Sequence, residues 1–337
     1  MAKHLTQAQR YYICLQVASY VKPSSIAKAL KVHRSTVYRE IRRNSRGEDD
    51  YDSDYADKKA SIRRSEASRE KSFKSITSRV KKYIEEKLLE KWSPEVISGR
   101  MQKDLGKSIS HETIYSYIRQ DRKNGGMLYK LLSHRGKRYR YGSSSRTSIV
   151  DRIDISDRPK IVEKKQRIGD FEIDTMVSAK HTGKSCLFTM VDRKSKITFI
   201  RKTIDKSADN IQNAIEDIYL NTTIPIITMT SDNGTEFANH KEISANIACG
   251  FYFARPYRSC DRGLNEHMNG QIRRYLPKGT NFDTISIETI EQIENALNNR
   301  PRKSLNYRTP NEVVNKYLQR ILRNRANKIN NLVAFHA

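Results

Sequence analysis

From about residue 156 onward, short runs rich in β-branched and aromatic residues alternate with stretches of helical spacing, which restricts that half of the chain to a layered α/β fold. Ile168 to Val177, Cys186 to Val191 and Ile197 to Arg201 read as strands, the last two joined by a turn at Asp192-Arg193-Lys194-Ser195. Ser207 to Leu220 reads as a helix with Ile211, Ala214, Ile215 and Ile218 on one face. Ile224 to Thr230 is a fourth strand, Phe251 to Ala254 a fifth, and Gly263 to Leu276 a helix. The expected order is three strands, a helix, a strand, a helix, a strand and a helix. Ser286 to Leu297 and Pro310 to Leu322 close the chain as helices, before a basic, weakly patterned tail from Arg323.

The first half has a different grammar. Residues 5 to 44 predict three short helices, with Pro23-Ser24-Ser25 starting the second and Ser35-Thr36 the third after a tight connection. Ile26, Ala27 and Leu30 form an inward stripe in the second; Val37 and Ile41 do so in the third. This fits a helix-turn-helix whose last helix shows Arg34, Ser35, Thr36, Tyr38, Arg39, Arg42 and Arg43 outside the stripe. Such residues suit base edges and phosphates in a major groove. Ser93-Pro94-Glu95 and Ser110-His111-Glu112-Thr113 start two further helices, a less basic helix-turn-helix-like block. The expected domains are 1–46, helix-turn-helix; 47–77, polar linker; 78–132, second helical domain; 133–155, basic flexible linker; 156–310, α/β core; and 311–337, C-terminal helix and tail.

Charge points to the partner. Lys and Arg number 64 against 38 Asp and Glu, a net charge of +26. Residues 1 to 150 hold 34 basic and 16 acidic side chains (+18), the remainder 30 and 22 (+8). A polyanion is the expected partner, because each phosphate neutralised by Lys or Arg releases condensed counterions. Cys14, Cys186, Cys249 and Cys260 are scattered, with no metal-ligand spacing, which argues against a zinc site or a disulfide framework and suits a reducing cytoplasm. No apolar run approaches 20 residues, so a membrane is not an expected partner.

The chemistry lies in three acids. The fourth strand ends in Ser231-Asp232-Asn233-Gly234-Thr235-Glu236-Phe237, which delivers Asp232 into a turn at the sheet edge. Asp174 lies on the first strand, where Asp170, Glu172 and Asp174 share one face and Phe171, Ile173 and Thr175 the other. Glu266 opens the helix after the fifth strand. Three converging carboxylates need a cation, and an all-oxygen donor set calls for Mg²⁺, or Mn²⁺, rather than a thiolate-seeking metal. Two such ions would suit an in-line phosphoryl displacement. Asp170 and Glu172 have a plainer role available as partners of nearby Lys and Arg, Asp192 as a turn residue, and Glu236 as a capping or solvated carboxylate.

The element order and the placement of these acids resemble ribonuclease H-like (retroviral-integrase-like) domains. Gly169-Asp170-Phe171-Glu172-Ile173-Asp174-Thr175, the Ser231 to Phe237 stretch and Arg262-Gly263-Leu264-Asn265-Glu266-His267-Met268-Asn269-Gly270 are similar to signatures of bacterial DDE transposases of the insertion sequence thirty family. So are Leu297-Asn298-Asn299-Arg300-Pro301-Arg302-Lys303, Trp92-Ser93-Pro94-Glu95 and the 33 residues between Asp232 and Glu266. The resemblance implies a multidomain protein with α-helical helix-turn-helix N-terminal domains and an α/β ribonuclease H-like catalytic core. It further implies recognition of terminal inverted repeats in double-stranded DNA, and metal-dependent cleavage and strand transfer with Asp174, Asp232 and Glu266 as ligands. Work at two DNA ends implies a homodimer or larger synaptic assembly, associated with the nucleoid, with no small-molecule cofactor. Asn269, Arg273 and Lys278 are expected to touch DNA near the scissile phosphate. The chain departs from the family pattern at Phe171, Ile173 and Arg258-Ser259-Cys260-Asp261. A DNA-binding regulator with an inactive core is the competing expectation, and a nuclease acting on RNA hybrids a weaker one.

Overall fold

The computed structural model describes residues 4–47, 50–74, 76–133, 152–178, 183–255 and 263–335. It divides into two compact units, residues 1–82 and 83–337.

In the first unit, α1 (Gln7–Ala18) begins at a reciprocal cap: Gln9 N–H donates to Thr6 Oγ1 and Thr6 N–H to Gln9 Oε1. α2 (Pro23–Ala29) has proline in its first turn, where a missing N–H costs nothing, and α3 (Arg34–Asn44) is capped by His33, whose Nδ1 accepts from Ser35 N–H. Leu5, Ile13, Ile26, Ala27 and Val37 are buried together, the helix-turn-helix core that the spacing predicts. The segment 47–77 is not a linker. Tyr51 and Ala56 join that core, and α4 (Ser53–Lys74) packs on α1 and α3. Polar contacts fix it: Arg10, 4% exposed, donates Nε to Glu40 (2.7 Å) and Nη1 to Asp57 (2.8 Å). Asn44 and Tyr51 also donate to Glu40 Oε1, and Arg63 to Asn44 Oδ1.

The unit boundary falls inside α5 (Ser78–Leu89). α6 (Pro94–Leu105) has Pro94 in its first turn and ends at Gly106, whose φ of 66° is the left-handed cap that glycine adopts without a Cβ penalty. α7 (His111–Lys123) follows, capped by Ser110, and Ile97, Met101, Ile114 and Ile118 face inward as expected. Of the basic linker proposed for 133–155, residues 134–151 lie outside the described residues; at its end Phe253 N–H donates to Ile153 O, so that this part runs beside the sheet.

After the short α8 (Lys160–Glu163), β1 (Asp170–Val177), β2 (Cys186–Asp192) and β3 (Thr198–Thr203) form an antiparallel meander. α9 (Ala208–Asn221) leads to β4 (Thr228–Ser231), and α10 (His240–Ile247) to β5 (Gly250–Phe253). β4 is parallel to both β1 and β5, giving the order β3-β2-β1-β4-β5, a ribonuclease H-like sheet. α11 (Gly263–Ile272), α12 (Ile287–Asn298) and α13 (Pro310–Phe335) complete the chain. α13 continues well past Leu322, through the stretch that reads as an unpatterned tail. One face of the sheet buries Phe171, Ile173, Phe188 and Met229 against α9, α10 and α13, so the two family departures in β1 are absorbed by packing. The other buries Met176, Leu187 and Val191 against α11 and α12. Helices α6 and α7 belong with this second unit, not to a separate 78–132 domain. Arg100 on α6 makes a two-pronged contact with Glu312 on α13, both at 2.8 Å, and donates to Tyr307 O.

Candidate active site

The acids of β1 divide by role. Asp170 is fully buried and holds Arg167 and the Thr228 hydroxyl; Glu172, 2% exposed, takes Arg193 Nη1 at 2.9 Å. Asp192 accepts from the N–H groups of Gly169, Lys194 and Ser195, a buried turn anchor. These three are structural, in accord with their plainer expectations. Asp174 is half-buried, one period further along the same face.

The register of β1 on β4, carried two residues past its last pair, sets Asp174 against Asp232. Glu172 pairs with Thr230 across parallel β1 and β4, so two residues on (172 + 2 and 230 + 2) the register meets Asp174 and Asp232, the latter just past the end of β4. The turn holding Asp232 is built by its own sequence. Gly234 N–H donates to Asp232 Oδ1 (3.1 Å), and Asn233 Nδ2 to Ala254 O (2.8 Å), which ties the turn to the chain leaving β5. A Cβ at Gly234 would lie 2.1 Å from Glu236 Oε2, so a larger residue there would displace the Glu236 carboxylate.

α11 lies over this face of β1. Asn265 N–H donates to Glu172 Oε2, and one turn later Asn269 Nδ2 donates to Asp174 Oδ2 at 2.8 Å. Asn269 therefore orients an acid, a role not foreseen from the sequence. Arg273 is tied down too, donating to Val177 O and Pro277 O and lying 5.3 Å from the centre of the Phe282 ring. Lys278 is exposed and Glu266, in the first turn of α11, is exposed beside the Asn265 and Asn269 face. Among the described residues no group of three or more carboxylate, histidine or cysteine side chains is gathered closely enough to hold a metal ion. The pair Asp174 and Asp232 suits a hard cation by donor type, since Mg²⁺ is commonly held by one or two carboxylates with substrate phosphates completing its shell. Arg258 to Asp261 lies outside the described residues.

Of the two roles expected for Glu236, capping or solvated, the solvated one is ruled out by burial. Glu236 is 2% exposed, accepts from the Thr175 hydroxyl at 2.8 Å and pairs with Lys206 at 2.8 Å. It thus links the Asp232 turn to the residue after Asp174. Only its place two residues beyond Gly234 hints at this in the sequence.

In the first unit, Arg34, Tyr38, Arg39, Arg42 and Arg43 are exposed on α3, with Ser35 and Thr36 half-buried in its first turn. Arg39 is braced, donating to Ser35 O (3.0 Å) and Ser35 Oγ (2.8 Å).

Residues 4–50 match the family model described as a homeodomain-like domain and residues 166–259 the integrase core domain. The transposase for insertion sequence element IS4351 of Bacteroides fragilis is 42% identical over 316 residues, 93% of this chain and 95% of that one. Transposase InsI for element IS30A of Escherichia coli (strain K12) is 31% identical over 325 residues, 92% and 83% of the two chains. The chain belongs to the insertion sequence thirty transposase family. This transposase family member carries both an α3 rich in exposed arginine and a β1 whose Glu172 pairs with Thr230 of β4, two residues before Asp174 and Asp232.

Proposed function

We propose that the protein binds the terminal inverted repeats of its own insertion sequence through α3, and cleaves and transfers DNA strands with Asp174, Asp232 and Glu266 as ligands of Mg²⁺ or Mn²⁺. The observation that carries the reading is the pairing of Glu172 with Thr230, which carried two residues on sets Asp174 against Asp232, together with the hydrogen bond from Asn269 to Asp174. Bound divalent ions would supply electrophilic stabilisation of the attacking and leaving oxygens at a phosphodiester. The chain's own part is to hold one carboxylate on β1 and one in the turn that follows β4, and to present Glu266 from the first turn of α11. Intact acids at all three positions favour an enzyme over a DNA-binding regulator with an inert core. Incubating the full-length protein with Mg²⁺ and duplex DNA bearing the element's ends should give nicks at the ends and joined products. Tight binding with no nick or joined product would leave the regulator in its place.

Recognition and chemistry are separable in this reading. Arg39→Ala removes a braced guanidinium from α3 and is expected to weaken end binding about tenfold, the scale of one good base or phosphate contact. Cleavage of the DNA that is bound should keep its rate. Fluorescence anisotropy with a labelled end duplex, followed by single-turnover cleavage at saturating protein, reads both; unchanged affinity would remove Arg39 from the interface.

A further inference from the structure

On the far side of α11 from the acids, the second unit contains a cavity of about 880 Å³ lined by α6, α7 and the segment between α12 and α13. His267 and Gln271 face it, each two residues and so about 200° round the helix from Asn265 and Asn269. Its lining includes Arg122, Lys130, Arg300, Arg302 and Lys303 against one carboxylate, the exposed Glu95. Two of these arginines are buried, Arg300 at 5% and Arg302 at 8% exposed. Among the described residues Arg300 Nη1 and Arg302 Nε have no hydrogen-bond partner, and neither does Nη1 of the neighbouring Arg274. Arg302 Nη2 reaches Leu297 O and Arg274 Nη2 reaches Leu131 O, so backbone carbonyls are the strongest acceptors they have.

Buried N–H groups of this kind are nearly always satisfied, and guanidinium keeps its proton even when buried. Burial, together with repulsion from Arg274 and Arg302, pulls Arg300 down to about 9, the mark of positive charge without a counter-charge. A fold that puts two such arginines in the wall of one cavity, with Arg274 close enough to repel Arg300, is built to receive an anion. Glu266 immediately precedes His267, so the cavity and the exposed acid adjoin on one helix. Gln271 adds an unpartnered buried acceptor, Oε1, suited to an N–H on a base edge.

We propose that this cavity holds a backbone phosphate of the DNA strand being processed, anchored by Arg300 and Arg302, which fixes the strand's path past Glu266. The proposal rests on the transposase reading for its ligand but is tested without catalysis. Full-length wild-type, Arg300→Met and Arg302→Lys proteins would be compared in EDTA by anisotropy with an end duplex over a salt series, and by thermal unfolding. Arg300→Met should bind about tenfold more weakly and lower the slope of log affinity against log salt by about 1, as expected for one lost phosphate contact. It should also unfold at a higher temperature without DNA, because an unpaired buried charge is gone. Arg302→Lys keeps a positive charge but loses the fork, so it should bind with an intermediate affinity.

Opposite signs for binding and stability are what a packing role would not produce. If Arg300→Met melts lower and binds DNA as tightly as wild type, the arginine is a packing element and the proposal fails. Inorganic phosphate is the second probe. If it raises the unfolding temperature of wild type but not of Arg300→Met while duplex affinity is equal, the cavity takes a free anion and the DNA assignment is overturned. Equal affinity with a smaller oligomer for Arg300→Met would instead assign the cavity to a carboxylate of another copy. Since no metal is present, these outcomes stand apart from any failure of the three acids to act in cleavage.

Discussion

Asp232→Asn is expected to cut strand cleavage about 10³-fold or more while end binding stays within about twofold of wild type. The size follows from losing one carboxylate of a cation site that contributes several kcal/mol at the transition state, each 1.36 kcal/mol being tenfold. Binding survives because Asp232, an acid, is not among the basic groups assigned to hold DNA, the exposed arginines of α3 and the arginines of the cavity behind α11. Folding should survive as well: asparagine keeps the Oδ1 that accepts from Gly234 N–H. Asp174→Asn should behave alike. Glu172→Gln offers the contrast, since Glu172 is paired with Arg193 inside the fold, so its loss should lower the unfolding temperature. Single-turnover nicking in Mg²⁺ and anisotropy in EDTA separate these outcomes, and normal nicking by Asp232→Asn would show that the register pair is not the reactive centre.

Glu40→Ala should be the most damaging substitution to the stability of the first unit. It strips Arg10 of its Nε partner and leaves Asn44 and Tyr51 without their shared acceptor, at a site where Arg10 is 4% and Glu40 12% exposed. Removing one partner of a buried ion pair costs about 3 kcal/mol or more. For a domain of this size that lowers the midpoint by about 12 °C or more. Calorimetry of the full-length protein should show the first unit melting earlier while the second is unmoved; Glu40→Gln, which keeps one acceptor oxygen, should lose less. An unshifted midpoint for Glu40→Ala would mean that Asp57 alone satisfies Arg10.

Much of this could be read from residue order because the signals were local. Strand alternation in β1 separates Phe171 and Ile173 from Asp170, Glu172 and Asp174, and the structure buries the first pair in the core and turns the acids toward α11. Proline at the start of α6 and glycine at its end are equally local. What escaped depends on distance or on weak patterning. α4 has few apolar residues, so it resembles a solvated helix, and it is fixed by Asp57 and Arg63 pairing with residues 47 and 19 positions away. α10 is foreseen in the element order but not its bounds: only His240, Ile243 and Ile247 face inward, and it stops at Ala248 in a left-handed conformation where glycine would be the usual sign. The inward turn of Asn269 depends on how α11 is rotated over β1, and helical spacing alone does not contain that rotation.

The bond from Asn269 to Asp174 ties two parts of the site to one lever. The helix that carries Glu266 also grips the first-strand acid, so α11 cannot slide or roll to bring Glu266 inward without turning Asp174 at the same time. In the proposed reading of the site, a strand of DNA pressing on that helix would adjust Glu266 and Asp174 in a single movement, and the readiness of the site to react would report on what lies against α11.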